Sequence, residues 1–83
     1  MEYYLITFSS THAAIAAQKY IEGKINFHVM PTLREISSSC GISLKVESAP
    51  YEIIREHMEH FPMGEDMYKI YRITAEGIHE MIT

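Results

Sequence analysis

Apolar and polar positions change period several times along this chain, and each change marks an element. Residues 2–8 are rich in aromatic and β-branched side chains, which predicts a strand. Ser9, Ser10 and Thr11 then offer helix N-caps ahead of an alanine-rich stretch at 12–22, where Ala13, Ala16, Ala17, Tyr20 and Ile21 share one helical face. Gly23 is a natural stop for that helix. Residues 25–30 predict a second short strand, ended by Pro31. Thr32-Leu33-Arg34-Glu35 matches a capping box and predicts a short helical turn over about 33–37. After four small residues and Gly41 comes the cleanest alternation in the chain, residues 42–47, with Ile42, Leu44 and Val46 toward the core. Ser48 reads as the cap of a second helix with Pro50 in its first turn and an apolar stripe of Ile54, Met58 and Phe61. Residues 61–64 break it, and 67–73 predict a last strand.

The element order β-α-β-loop-β-α-β, with right-handed crossovers, leads to an α+β ferredoxin-like fold. That fold is a four-stranded antiparallel sheet of order 4-1-3-2 with both helices on one face. It would occupy residues 1–73 as a single domain. Residues 74–83 form a C-terminal tail in which Ile78, Met81 and Ile82 stand at helical spacing, so it reads as a short helix or a frayed end. The uncovered sheet face would present Tyr3, Leu5, His28, Met30, Tyr71 and Ile73. So much apolar surface suggests a homodimer or a partner surface.

Composition narrows the function classes. Hydrophobic content of 47% and charged content of 22% are those of a globular chain. The formal net charge is -4 and there is no basic run, which disfavours partners held by phosphate neutralisation, nucleic acid and anionic lipid alike. The N-terminus lacks the basic region of a signal peptide, and no apolar run approaches a membrane span. The expected location is the cytoplasm. One cysteine excludes an intrachain disulfide.

That cysteine, Cys40, is the most distinctive chemical position, in the run Ser37-Ser38-Ser39-Cys40-Gly41. In the expected topology the end of strand one, the start of helix one and the loop before strand three share one sheet edge. Cys40 would then lie near Ser9, Ser10, Thr11 and His12. A helix N-terminus carries partial positive charge and unpaired N–H groups, and His12 and Arg34 could add to that field. Such surroundings raise the thiolate fraction, the form that attacks sulfur. Ser38 and Ser39 could assist through hydroxyls and amides, and Gly41 leaves one flank open. Two readings oppose this one. A lone cysteine is commonly a small buried hydrophobe, and the C-terminal end of the turn from Leu33 would disfavour the thiolate. Elsewhere, His57 and His60 could share a metal, but no third ligand is evident and a solvated helix face explains them better. No phosphate-binding loop is present.

Three segments, Phe8-Ser9-Ser10-Thr11-His12-Ala13, the run from Pro31 through Arg34-Glu35-Ile36-Ser37-Ser38-Ser39-Cys40-Gly41 to Ile42, and Ile70-Tyr71-Arg72-Ile73, resemble the selenium/sulfur carrier protein-like family of small bacterial proteins. The resemblance covers about residues 2–73. It implies a carrier or accessory protein, rather than a stand-alone enzyme, that holds sulfur or selenium as a persulfide-type adduct on its cysteine, here Cys40. It also implies support from Ser10, Thr11 and His12, with no cofactor and no metal required. The implied partner is a cysteine desulfurase or another sulfur- or selenium-transfer protein. Leu33 departs from the family, which often has Pro there, and should alter loop stiffness more than chemistry. The competing class is a non-catalytic module whose Cys40 loop docks a partner or small anion.

Overall fold

The computed structural model describes residues 2–33, 36 and 41–81, the side chain of Glu65 excepted. Its elements run β1 (Tyr3–Phe8), α1 (Thr11–Ile21), β2 (His28–Pro31), β3 (Ile42–Val46), α2 (Tyr51–Glu59), a 3-10 turn (Glu65–Met67), β4 (Tyr68–Thr74) and β5 (Gly77–Met81). All strands pair antiparallel in the order β2-β3-β1-β4-β5. The four-stranded ferredoxin-like βαββαβ expectation is thereby overturned, because the sheet has five strands. Residues 77–81 form the fifth strand instead of a helical or frayed tail.

The reason lies in the turn at 74–77. Thr74 pairs with Gly77 and Ile73 with Ile78, so Ala75 and Glu76 make a two-residue hairpin. Thr74 Oγ1 accepts from the Glu76 N–H at 3.1 Å, and Gly77 sits at φ 145°, a value that side chains other than hydrogen rarely allow. Ala-Glu is not a turn signature of the Asn-Gly kind. The apolar residues Ile78 and Met81, three apart, imitate helical spacing although they lie on opposite faces of the strand.

Register sorts the side chains into two faces. Ile6 and Phe8 of β1, Leu44 and Val46 of β3 and Ile70 of β4 share one face. They form the main core with Ala13, Ala14, Ala17 and Ile21 of α1 and with Ile54 and Met58 of α2. The small alanine face lets α1 approach the sheet closely. Phe61 packs between Tyr20 and Tyr68 with ring centroids 5.7 and 6.0 Å away. The same two tyrosines donate hydroxyl hydrogen bonds to the last carbonyls of α2, Tyr20 to His57 O at 2.6 Å and Tyr68 to Met58 O at 3.2 Å. Each adds a second donor to a carbonyl that already accepts a backbone N–H of the closing turn, from His60 at His57 O and from Phe61 at Met58 O.

The second face carries Tyr3, Leu5, His28, Met30, Tyr71 and Ile73, as their register requires. It is not left open. Leu5, Ile36 and Ile73 form a second buried cluster, with Tyr3, Met30, Leu33, Tyr71 and Ile78 packed around it. Leu5 is 0% exposed and Ile36 6%. The cover comes from the β2–β3 connection, whose Leu33 and Ile36 fold back onto the sheet. This removes the main apolar argument for the expected homodimer.

Local details differ in several places. β2 begins at His28 rather than residue 25, because the Ile25 N–H still bonds to Ile21 O at 3.1 Å and its side chain is buried in the core. The N-cap of α2 is Pro50, with no side-chain cap bond, so Ser48 does not have the capping role expected of it. The Thr32 hydroxyl pairs with Ser43 Oγ at 2.7 Å, while Glu35, the other half of the expected capping box, lies outside the described residues.

Two-sided burial of β1 has a measurable consequence. Leu5→Ala, on the second face, should destabilise the protein by about 2–5 kcal/mol in urea unfolding. Ile15→Ala, on the exposed side of α1, should stay within about 0.5 kcal/mol of the parent.

Candidate functional site

β1 runs its last residues into the edge where the candidate chemistry gathers. Thr7 pairs with Ser43, and continuing that register one step brings Phe8 alongside Ile42 and the chain toward Gly41. On the other side Phe8 pairs with Tyr68. Ser9 extends this ladder: its N–H donates to Met67 O at 3.0 Å and its Oγ to Asp66 O at 3.1 Å. One sheet edge therefore gathers Ser9, the start of α1, Gly41, Thr32 and the 3-10 turn.

Ser10 is the N-cap of α1, with extended φ and ψ of -149° and 158°. Its Oγ accepts from the Ala13 N–H at 3.1 Å, so its acceptor capacity is directed to the helix's own first turn. Thr11 and His12 are the first two helical residues, and both are exposed. No acidic residue stands in that first turn, so no carboxylate within it offsets the positive end of the helix dipole. Gly41 is exposed, and a Cβ built on it would meet nothing within 4 Å. Its carbonyl accepts from the Thr32 N–H at 3.1 Å.

The remaining expected site residues, Cys40, Arg34, Ser38 and Ser39, lie outside the described residues. Of the expected set, the structure brings together Ser10, Thr11, His12 and Gly41 along one edge. Ser9 was expected in this region, whereas sequence reasoning missed Thr32, Ser43 and Asp66 as members of it. Ser43 had no signal, since it read as one polar position in an alternating strand. Asp66 read as a simple turn residue, yet its turn brings an acidic side chain to an edge where a thiolate would prefer positive charge.

Two features fall elsewhere. An open depression of about 410 Å³, lined by Asn26, Phe27, His28, Glu47 and Ser48, lies at the opposite end of β2 and β3. The Arg72 Nε donates to Glu2 Oε1 at 2.9 Å at the far end of β1, about 20 Å from Ser9 by strand rise. This hydrogen bond holds the Glu2 carboxyl below its usual value, and that of Arg72 above. The depressed carboxyl contributes stability above its unfolded value of 4.5, lost as pH falls through the folded one. Both groups are fully exposed, so the contribution is small.

Among the described residues no group of three His, Cys, Asp or Glu side chains could hold a metal ion. His57 is a half-buried residue and His60 the C-cap of α2. No helix of the described residues is long and apolar enough to cross a membrane.

Comparison with protein families matches residues 3–80 to the one described as Putative Se/S carrier protein-like. No curated protein and no solved structure matches the chain.

The capping role of Ser10 is directly testable. Ser10→Ala should cost about 1 kcal/mol in thermal or urea unfolding, while Ser10→Asp, which restores an acceptor for Ala13, should recover most of it.

Proposed function

Because the chain belongs to the Se/S carrier protein-like family, we propose that Cys40 carries a sulfur or selenium atom as a persulfide-type adduct and hands it to an acceptor protein. The observation that best supports this reading is the sheet edge shared by Gly41 and the capped, carboxylate-free first turn of α1. A residue joined to Gly41 is one Cα–Cα step of about 3.8 Å from it.

The exchange needs few parts. The Cys40 thiolate attacks the terminal sulfur of a donor persulfide. The donor's S–S bond breaks, its inner sulfur leaves as a thiolate, and the terminal sulfur stays on Cys40 as S–SH. Delivery reverses the roles: an acceptor nucleophile takes the terminal sulfur and Cys40 leaves as thiolate. No external oxidant or reductant enters, and selenium follows the same course. The rate depends on thiolate fraction, on leaving-group quality and on access. Ser10, Thr11 and His12 support the thiolate through the helix end, with Arg34, Ser38, Ser39 and Gly41 as the local surroundings. The donor or acceptor is a cysteine desulfurase or another sulfur- or selenium-transfer protein.

Incubation with a cysteine desulfurase and cysteine should add the mass of one sulfur atom to the intact protein. The increment should disappear on treatment with dithiothreitol and be absent from Cys40→Ser. An unchanged mass under conditions that load a known acceptor would sink the carrier reading.

A second measurement addresses activation. Alkylation of Cys40 against pH should titrate below the unperturbed thiol value of about 8.5, and His12→Ala and Arg34→Ala should each slow the reaction, though less than loss of Cys40. A titration at or above that value, with neither substitution having an effect, would favour the docking-module reading.

A further inference from the structure

The sheet ends in β2 on one side and β5 on the other, and the two edges present different backbones. Hydrogen-bonding phase decides which groups each edge turns outward, because bonded residues of an antiparallel ladder alternate with residues that face the other side. The Thr32 N–H donates to Gly41 O at 3.1 Å and extends the β2–β3 ladder. Met30 and His28 therefore turn their backbone groups toward β3, while Val29 and Pro31 turn theirs outward. Proline has no N–H, so of the β2 residues only Val29 offers an outward donor.

β5 lacks that protection. The Ser9 N–H bonds to Met67 O at 3.0 Å, which sets the phase between β1 and β4. Lys69, Tyr71 and Ile73 bond toward β1, and Ile70, Arg72 and Thr74 toward β5. Their partners Met81, His79 and Gly77 are thereby occupied, and the N–H and C=O groups of Ile78 and Glu80 point away from the sheet. The hairpin turn requires the same phase, since the residues flanking it form a bonded pair. Among the described residues no strand pairs with this edge. Apart from the charge of Glu80 it carries none of the devices that blunt an open edge: no proline, lysine or bulge.

The edge is complementary to itself in one register. With a two-fold axis at His79, Ile78 of each copy faces Glu80 of the other, and every outward donor and acceptor of both residues is bonded. An axis at Glu80 would oppose two carboxylates directly, and an axis at Ile78 would set Glu80 against Glu76. The His79 axis also brings Met81 of each copy opposite Gly77, which has open space where a side chain would stand.

We propose that β5 joins two copies of this chain, pairing antiparallel about a two-fold axis at His79 so that their sheets become continuous. The contact uses an edge and leaves Leu33 and Ile36 in place over the second face.

Sedimentation equilibrium of the full chain from micromolar to millimolar concentration should show monomers and dimers in exchange. Amide exchange followed by NMR should give the Ile78 and Glu80 N–H groups protection that rises with concentration, while that of His79, bonded within the chain, is protected throughout. Glu80→Pro removes an outward donor and no bond to β4. It should weaken the dimer by about tenfold or more, since symmetry removes the bond twice, and Glu80→Thr should keep it. In a Cys40→Ser background, His79→Cys should form a disulfide-linked dimer with oxidised glutathione. Facing residues of a non-bonded antiparallel pair have Cα atoms about 4.5 Å apart, within disulfide reach. Ile15→Cys, on the exposed side of α1, should remain unlinked under the same conditions. Should Glu80→Pro fail to fold, the cysteine variants decide. A chain that stays monomeric at millimolar concentration would overturn the proposal, even if a different protein protected these amides. So would a dimer that Glu80→Pro leaves intact and His79→Cys fails to link, because it would use another surface.

Discussion

Every other arrangement in this molecule follows from the burial of β1 on both faces. Leu5 and Ile6 are adjacent, point to opposite sides of the sheet, and are both 0% exposed. A central strand of this kind must be covered twice. The helices meet one requirement, with alanines of α1 and the Ile54 and Met58 stripe of α2 over Ile6, Phe8 and their neighbours. Among the described residues no third helix lies on the other side, and Leu33 and Ile36 take that place from a connection that otherwise reads as polar and small. Leu33 and Ile36 of the β2–β3 connection are therefore part of the core architecture.

This double role explains why the candidate site falls where it does. β1 ends at Phe8, and the chain turns into α1 through Ser9 and Ser10, each tied down by its own bonds. β3 begins beside it at Ile42, with Gly41 held by Thr32. The site edge is thus defined by the pairing register of the central strand, which a slip of one residue would invert. Ser10 illustrates how structural and chemical demands share a residue. Its oxygen caps Ala13, and whatever it offers an anion must come from its hydroxyl proton or from the helix it stabilises.

Much of this was readable in the sequence, where local chemistry and global fold agree. The Ser10 cap, the alanine face of α1, the Gly23 stop and the alternation of β3 all carry short-range signals strong enough to stand alone. The residues that share each sheet face were also legible, because strand period fixes them. What escaped depended on tertiary context. β5 was hidden by an Ala-Glu turn without a turn signature and by the spacing of Ile78 and Met81. The cover of the second face was hidden because two apolar residues among serines do not show which surface they seek. One clue was present: Tyr3-Tyr4-Leu5-Ile6-Thr7-Phe8 lacks the polar alternation of a strand with one wet face. The Thr32–Ser43 bond beside Gly41 was beyond reach, since it has no local signature.

The electrostatics of the edge bear on what sort of thiol chemistry it can support. A helix end at an exposed site is worth about 0.3–1 kcal/mol to a nearby anion, less than the roughly 1.4 kcal/mol that corresponds to one unit of pKa. Opposing it are Asp66 of the 3-10 turn and a net charge of -4, both weakened by solvent and salt. A field of this size would supply mild activation at most to the proposed Cys40 thiol, not the strong activation of a dedicated oxidant. Mild activation suits a carrier. A thiol with a very low pKa is a weak nucleophile and a good leaving group, so it accepts slowly and loses its cargo easily. One titrating near ambient pH attacks a donor persulfide efficiently and holds the adduct until an acceptor arrives. A site that must both take and give gains more from a weak positive field than from a strong one.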